Sequence, residues 1–312
     1  MRRKIVVVAG PTASGKSALA LALAEEFAGT IVNADSMQLY RGLRVLTAQP
    51  DDAALRRVPH ALYGVLEPED HASAGRWRTM AMAAIGAAHE AGRLPILVGG
   101  TGLYLRALMQ GIAAIPPIPA PIRADARALH AKLGGDAFRA CLAERDPAGA
   151  AKLEPGDTQR LIRAYEVVVA TGHPIASFQD HGAPADMADK RAFTLLVMPP
   201  RSDLHQAINA RFLRMLGQGA LDEARALLAR KPDPSLPAMK ALGLPALFDH
   251  LNGLISLDEA IVRGQQATRQ YAKRQATWFR HQLTPDQRID AQFSERFLPE
   301  IFSIIRQFLL TP

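Results

Sequence analysis

The feature that constrains this chain most is a glycine-rich octapeptide that follows a short apolar run near the N-terminus. The run Ile5–Ala9 has no polar alternation, which is typical of a strand buried on both faces of a parallel sheet. The octapeptide 10–17 reads GPTASGKS and matches G-x-x-x-x-G-K-[ST] at every fixed position, and an Ala/Leu-rich helix is predicted from about Lys16 to Phe27. This strand–loop–helix order predicts a P-loop that binds a polyphosphate.

Each fixed position of the loop has a physical role in holding phosphate oxygens. Gly10 and Gly15 permit backbone dihedrals that turn several amides inward, and the positive end of the following helix adds to the attraction. Lys16 supplies a point charge, and the Ser17 hydroxyl is placed to bind Mg²⁺, the one cofactor that we predict. The residues predicted to bind the polyphosphate are therefore Gly10, Pro11, Thr12, Ala13, Ser14, Gly15, Lys16 and Ser17.

Strand and helix patterns alternate beyond the loop, which predicts an α/β fold with a P-loop NTPase-like parallel sheet core flanked by helices. Further strands are predicted at Thr30–Asn33, Leu94–Val98 and Phe193–Met198. The alternation stops at the proline-rich stretch 115–121, after which helical patterns continue to about Thr171 and a polar loop follows at 179–190. We therefore predict the first part of the core over 1–114, an all-helical insertion over 115–192, and a return to the core over 193–312, with helices at 203–216, 219–230, 245–251, 257–281 and 296–310.

Composition narrows the class of protein. Lys and Arg outnumber Asp and Glu by 37 to 30, and the resulting charge of +7 suits a polyanionic partner, although many proteins are mildly basic without one. The single cysteine, Cys141, excludes a disulfide within the chain and a cysteine-rich zinc module, and ordinary packing in the helix-like stretch 138–142 is expected for it. No apolar run is long enough for a signal peptide or a membrane span, so we expect a cytoplasmic protein. No long heptad seam is present, so we expect a monomer.

The P-loop alone does not establish that the bound phosphates belong to a nucleotide. A Walker-B strand would end in Asp, whereas the second and third predicted strands end in Asn33-Ala-Asp35-Ser36 and Gly99-Gly-Thr101-Gly102. Only the first of these offers a carboxylate. From its position, Asp35 is a metal ligand in a nucleotide hydrolase, a general base in a transferase, or a turn or helix N-cap residue.

A series of motifs in order along the chain resembles one family, the bacterial tRNA dimethylallyltransferases, also called tRNA isopentenyltransferases. The motifs are GPTASGKS (10–17), NADSMQLYRGLRVLTAQP (33–50), PHALYGVLEPED (59–70), LPILVGGTGLYLRAL (94–108), DTQRLIRAYEV (157–167) and RGQQATRQYAKRQATWFR (263–280). They extend from the first strand to about Arg280. Because of this order and coverage, the resemblance is far more specific than a P-loop.

The resemblance implies an activity and four catalytic residues. The family transfers a dimethylallyl group from its diphosphate to the exocyclic amine of the adenine on the 3′ side of the anticodon in tRNA, and releases diphosphate with the help of Mg²⁺. Asp35 is then the general base, Lys16 stabilises the leaving diphosphate, Thr101 lies near its bridging oxygen, and Arg211 is a second clamp. Without the resemblance, Thr101 is equally an N-cap of the next helix and Arg211 a solvated charge.

The resemblance also implies contacts with tRNA. They fall on Asp35, Ser36, Met37, Gln38, Thr101, Arg123, Gln159, Arg160, Leu161, Ile162, Arg163, Lys240 and Gly243. From the pattern alone, Arg160 and Arg163 are equally plain surface charges. The chain departs from the family at 240–245, where the family's R-x-x-G-Y is Lys-Ala-Leu-Gly-Leu, and at 73–77, where Trp replaces the commoner Phe.

The segment 263–280 carries a basic stripe beside an aromatic one. At 100° per residue, Arg269, Lys273 and Arg280 fall within a narrow stripe, whereas Tyr271 and Trp278 lie on another side. We predict that the aromatic side packs against the core and the cations face phosphates. An ordinary amphipathic helix with a solvated face is the alternative.

Two other classes of function remain open at this stage. A P-loop small-molecule kinase or an adenylate isopentenyltransferase explains the loop and Asp35, but neither explains the helical insertion and the basic C-terminal helix. A non-catalytic RNA-binding or nucleotide-switch protein needs no general base. The motif would be described as ATP-binding and nucleotide-binding in any of these cases.

Overall fold

The computed structural model describes residues 3–113, 115–178 and 187–311. Within these ranges, all strands run parallel in one sheet, in the order β3-β2-β4-β1-β5-β6. The strands are β1 Arg3–Ala9, β2 Gly29–Asn33, β3 His60–Ala61, β4 Leu94–Gly99, β5 Lys190–Val197 and β6 Gln287–Ile289. The predicted parallel α/β core is confirmed, and the P-loop follows its central strand, β1.

Helices flank this sheet, and the C-terminal third of the chain is mostly helical. All five helices predicted there begin within two residues of the observed starts. The α-helices are α1 Lys16–Glu26, α2 Asp52–Arg57, α3 Ala74–Glu90, α4 Gly102–Gln110, α5 Ala120–Ala143, α6 Pro147–Ala151, α7 Thr158–Thr171, α8 Arg201–Gly217, α9 Ala220–Ala229, α10 Leu244–Leu251, α11 Leu257–Gln282 and α12 Leu298–Leu310.

The alternating side chains of β1 supply two hydrophobic cores, one on each face of the sheet. Val6 and Val8 pack with residues of α1 and α12, whereas Ile5 and Val7 pack with α3, α4 and the helices that follow β5. All of these β1 side chains are buried, which explains why the strand is a continuous apolar run. The rigid sheet thus holds the loops that leave its carboxyl edge.

Residues Gln110–Pro184 form a compact unit of their own, and Met1–Met109 with Ala185–Pro312 form the other. The insertion unit contains α5, α6 and α7, and its core is built around Phe138, Leu161 and Val168. Cys141 lies in α5 and is half-buried. The first long helix of the insertion unit, α5, is interrupted at Gly134, where φ is 74°.

The predicted limits of the insertion, 115–192, differ from those of this unit. The end at 192 is wrong, because β5 already begins at Lys190 and pairs with β1 from there. The strand predicted at Phe193–Met198 is therefore the second half of a longer one. Of the polar loop predicted at 179–190, only residues 187–190 lie within the described part of the chain. None of the described helices is long and apolar enough to cross a membrane.

Candidate active site

The P-loop leaves β1 and folds into a cradle whose lysine is buried. Gly15, the residue before α1, has φ of 91°, a left-handed conformation that favours glycine. Lys16 Nζ donates to the Pro11 carbonyl at 3.2 Å. Burial lowers the pKa of Lys16 to about 8; the negative charge of Asp35 opposes this shift, and the positive charge of Arg211 adds to it. The lysine therefore lies within the field of both charged groups.

Two serines of the loop are free to meet a phosphate ligand and its metal. The Ser14 hydroxyl is buried beside Gly10, and no partner for it exists among the described residues. Ser17 is exposed at the start of α1. In the described part of the chain, no three His, Cys, Asp or Glu side chains form a metal cluster. The hydroxyls of Ser14 and Ser17 are oxygen donors at the loop, which is the ligand type that Mg²⁺ takes.

Asp35 and Thr101 follow neighbouring strands and meet at the same edge of the sheet. The Ser36 amide donates to Thr101 Oγ1 at 3.0 Å, and the Thr101 amide donates to the Ala34 carbonyl at 3.3 Å. Asp35 Oδ1 accepts from the Met37 amide at 3.0 Å, so the carboxylate also stabilises its own turn. The other carboxylate oxygen, Oδ2, takes no part in these bonds. The predicted turn contact of Asp35 is therefore present, and it uses only one carboxylate oxygen.

Arg211 reaches the P-loop from α8. Its guanidinium donates to Thr12 Oγ1 at 2.5 Å, across 199 residues of sequence. Burial lowers the pKa of Arg211, and the charge of Asp35 opposes that shift. The alternative of a solvated arginine is therefore wrong. Asp35 thus shares one electrostatic environment with Lys16 and Arg211.

Residues that the sequence reasoning missed complete this site. Tyr271 of α11 faces the site: burial and the charge of Asp35 raise its pKa, and the side chains of Thr101 and Gln275 oppose that rise. Burial and Asp35 also raise the pKa of Tyr63. Gln275, on the same helix as Tyr271, is bonded to two loops of the site. One signal existed for it: with Thr268, Gln275 is one of two polar residues on the mostly apolar buried face of α11.

A cavity of about 230 Å³ opens beside Ser17. Apolar side chains of α1, β2 and β4 line much of it, and Tyr63 and His60 lie at its other side. Gln38 also borders this cavity, and its amide donates to the carbonyls of Thr47 and Ala48 at 2.9 and 2.8 Å. These two hydrogen bonds hold the loop that carries Ala48 in place, and this loop forms one wall of the cavity.

The predicted tRNA-binding residues are divided between the two units. In the core unit, Asp35, Ser36, Met37, Gln38 and Thr101 lie together and are partly exposed, and Lys240 is exposed. Gly243 is different: it is buried, its φ is 87°, and a Cβ there would lie 2.6 Å from the Phe212 ring. A packing role explains this glycine, so its assignment as a tRNA contact has no support from its surroundings.

In the insertion unit, the predicted contacts lie at the start of α5 and along α7. Arg160 and Arg123 are exposed, and Arg163 forms an ion pair with Glu166 at 3.3 Å. The prediction is wrong for the Leu161 side chain, which is fully buried in the core of the unit and is not available to an RNA. The remaining predicted contacts are Gln159, which is exposed, and Ile162, which is half-buried.

The basic stripe of α11 is only partly free. Lys273 and Arg280 are exposed, whereas Arg269 donates to Asn209 Oδ1 at 2.7 Å. On the other side of the helix, a Cβ at Gly102 would collide with the Trp278 ring, so this tryptophan packs against the start of α4. The helix therefore joins the core through its aromatic side, as predicted, and presents two cations of the stripe to solvent.

Comparison with known proteins gives consistent similarities over almost the whole chain. The model of the IPP transferase family matches residues 38–282, and that of the isopentenyl transferase family matches residues 3–62. The chain is 58% identical over 288 residues to a tRNA dimethylallyltransferase of Rhodospirillum centenum, with 92% of each chain covered. It is 49% identical to that of Rhodospirillum rubrum, with 98% of this chain and 95% of the other covered.

Solved structures agree in fold with this chain. A full-length tRNA isopentenylpyrophosphate transferase from Bacillus halodurans is 31% identical, with a TM-score of 0.69 over 98% of this chain and 96% of the other. A eukaryotic dimethylallyltransferase acting on tRNA is 27% identical, with a TM-score of 0.83 over 98% of this chain and 79% of the other. The similarity thus includes both the sheet core and the inserted helices.

Proposed function

We propose a donor, an acceptor atom and a set of catalytic groups from one premise: this chain belongs to the family of tRNA dimethylallyltransferases. It is a transferase that prenylates tRNA. The donor is dimethylallyl diphosphate, and the acceptor is the exocyclic amine of the adenine on the 3′ side of the anticodon. The products are an isopentenyladenosine in the tRNA and free diphosphate.

The P-loop holds the diphosphate of the donor in this proposal. Its backbone amides, the start of α1 and the Lys16 ammonium all favour an anion. Arg211, already bonded to Thr12, is a second cation at the same loop. The buried Ser14 hydroxyl gains an acceptor when a phosphate oxygen arrives. When bound at Ser17, Mg²⁺ neutralises charge on the diphosphate.

Transfer is a displacement at C1 of the dimethylallyl group. The amine nitrogen forms a bond to C1, the C1–O bond breaks, and its electron pair leaves with the diphosphate. Asp35 accepts the proton that the amine loses, which is useful because an aromatic amine is a poor nucleophile. The Thr101 hydroxyl donates near the bridging oxygen, where negative charge develops, and Lys16 and Arg211 stabilise the same charge.

The adenine must leave the stack of the anticodon loop to reach this site. The segment Asp35–Gln38 is proposed to meet the extruded base, since it lies beside Thr101 at the open edge of the sheet. Lys273 and Arg280 of α11, Lys240, and the exposed arginines of the insertion bind tRNA phosphates in this proposal. These contacts orient the RNA, whereas the extruded base binds at the segment that begins with Asp35.

The cavity beside Ser17 is proposed to take the hydrocarbon part of the donor. It begins at the residue that ends the P-loop, and the apolar side chains of α1, β2 and β4 along it suit a chain without polar atoms. Its volume of about 230 Å³ leaves room for a five-carbon chain.

The observation that carries the proposal is the convergence of three charged groups: Lys16 beyond β1, Asp35 beyond β2, and Arg211 of α8. Its test uses anticodon stem-loops that contain either adenine or unsubstituted purine at the position 3′ to the anticodon, with labelled dimethylallyl diphosphate and Mg²⁺. We expect label in the adenine RNA alone, because purine lacks the amine. Equal labelling of both RNAs would contradict the acceptor atom, and labelling of free AMP instead would favour an adenylate isopentenyltransferase.

We also propose that the protein acts as a monomer in the cytoplasm, where unmodified tRNA is present. Light scattering on the eluted protein should then give a mass near 33.7 kDa. A mass of twice that value at micromolar concentration would contradict the monomer.

A further inference from the structure

Gln275 is a buried polar side chain of α11 that forms two hydrogen bonds outside its own helix. Its Oε1 accepts from the Thr12 amide at 2.9 Å, and its Nε2 donates to the Gly100 carbonyl at 2.8 Å. The two partners lie 263 and 175 residues away in sequence. The side chain is 6% exposed, so water does not replace either bond readily.

These two partners belong to different halves of the catalytic site. Thr12 lies in the P-loop, where its hydroxyl accepts from Arg211. Gly100 directly precedes Thr101, whose hydroxyl accepts from the Ser36 amide next to Asp35. One carboxamide therefore links the loop that holds the diphosphate to the loop that lies beside the proton acceptor.

The chemistry of the link requires a carboxamide. An amide supplies one acceptor and a donor at the end of a single planar group, whereas a carboxylate has only acceptors and a thioether has neither strong donor nor strong acceptor. The fit is also close, because a Cβ at Gly100 would collide with Gln275 Nε2. A glycine at position 100 and a glutamine at position 275 thus fit each other.

We propose that Gln275 is a positioning residue for the transfer step, which fixes the spacing between the P-loop and the Thr101 loop. The inference rests on the proposed function, since it assigns the donor to the first loop and the proton acceptor to the neighbourhood of the second. Gln275 touches neither reactant; it acts through Thr12 and Gly100. Displacement of reacting groups by about 1 Å can cost on the order of 100-fold in rate, so a small shift between these loops is enough to matter.

The first test measures kcat and substrate binding separately in two variants, Gln275→Met and Gln275→Glu. Methionine keeps the length and loses both bonds; glutamate keeps the acceptor for Thr12 but turns an oxygen towards the Gly100 carbonyl. We expect kcat for tRNA prenylation to fall about 30- to 100-fold in both, while the KM for tRNA and the inhibition constant of inorganic diphosphate stay within about threefold. Gln270→Glu, on the exposed side of the same helix, should keep the wild-type kcat.

The second test is a double-mutant cycle between positions 100 and 275, which remains informative if the methionine variant folds poorly. Gly100→Ala alone should lower kcat about tenfold or more, because its methyl group displaces the amide. In a Gln275→Ala background, which removes that amide, the same change should cost less than about threefold. Urea unfolding of each variant gives the fraction folded, to which all rates are normalised.

Two results overturn the inference. One is a normal kcat per folded molecule in Gln275→Met; the other is additivity of the two changes in the cycle. Failure of the proposed function is a separate outcome, because wild-type protein would then transfer no label from dimethylallyl diphosphate to tRNA, whatever the variants do.

Discussion

The Asp35 carboxylate holds its own turn through the Met37 amide and also lies in the field of Lys16 and Arg211. From its position in the sequence, three roles were open to Asp35: a turn residue, a metal ligand or a general base. The structure shows that the turn contact occupies one carboxylate oxygen. Substitution by an isosteric amide therefore separates the two roles, because an amide oxygen still accepts from the backbone.

Asp35→Asn should lower kcat for tRNA prenylation by about 10²- to 10⁴-fold, because the amide cannot accept the proton of the amine. The free energy of unfolding should be almost unchanged, since the bond to Met37 remains. Single-turnover transfer and urea unfolding measure the two quantities. Asp258→Asn, in the exposed first turn of α11, is the matched control. A variant at position 35 that keeps more than about a tenth of the rate would contradict the assignment.

Lys16 gives the donor site a pH dependence whose sign follows from its pKa of about 8, which lies below the ordinary value. The ammonium is charged below that pH and loses its proton above it, so attraction for the diphosphate weakens as the pH rises. We predict that kcat/KM for dimethylallyl diphosphate falls as the pH rises through about 8. In Lys16→Arg the cation persists, so residual activity should lack this fall. A flat wild-type profile to pH 9.5 would contradict the prediction.

At the scale of elements, three helices of the core meet around one aromatic ring. A Cβ at Gly264 of α11 would collide with Phe212 of α8, and a Cβ at Gly243, before α10, would lie 2.6 Å from the same ring. The family resemblance implied a tRNA contact at Gly243. Its surroundings instead favour a role in helix packing, and a single substitution distinguishes the two.

Gly243→Ala should lower the free energy of unfolding by about 1–3 kcal/mol, because the methyl group meets Phe212 and a φ of 87° is unfavourable for alanine. The affinity of the folded variant for tRNA should not change. Gly217→Ala is the control, since a Cβ there has open space. Wild-type stability together with weakened tRNA binding would support the tRNA contact and refute the packing role.

The exposed cations of α11 make a prediction at the same scale. Lys273→Gln should weaken tRNA binding and reduce the slope of log affinity against log salt by about one, as expected for one lost phosphate contact. Lys231→Gln removes the same charge from another exposed position and should leave the slope unchanged. Equal slopes in both variants would mean that only the net charge of the protein matters.

Elements with strong local patterns could be predicted from the sequence, and short ones could not. The strand β1 and the C-terminal helices could be predicted because their burial leaves a hydrophobic pattern in the sequence. The strand β3, His60–Ala61, and the strand β6, Gln287–Ile289, are too short for a pattern, and their neighbours in the sheet determine them. The P-loop was visible because its residues are contiguous. Gln275 and Tyr271 were not recognised as site residues, because their partners lie far away in sequence.

At the scale of the whole molecule, a phosphate-binding sheet and a helical insertion with its own core belong to one polypeptide. A P-loop core alone is shared by many nucleotide-dependent enzymes, and function must be argued from the site. Here the loops that carry Asp35 and Thr101 meet at one edge of the sheet. We propose that the P-loop at this edge holds a prenyl diphosphate rather than ATP.

The most direct measurement is transfer of labelled dimethylallyl diphosphate to unmodified tRNA with Mg²⁺ and without any nucleotide. We predict that label enters the tRNA, that one diphosphate is released for each group transferred, and that added ATP does not change the rate. A requirement for ATP, or release of phosphate from ATP in place of labelled tRNA, would contradict it.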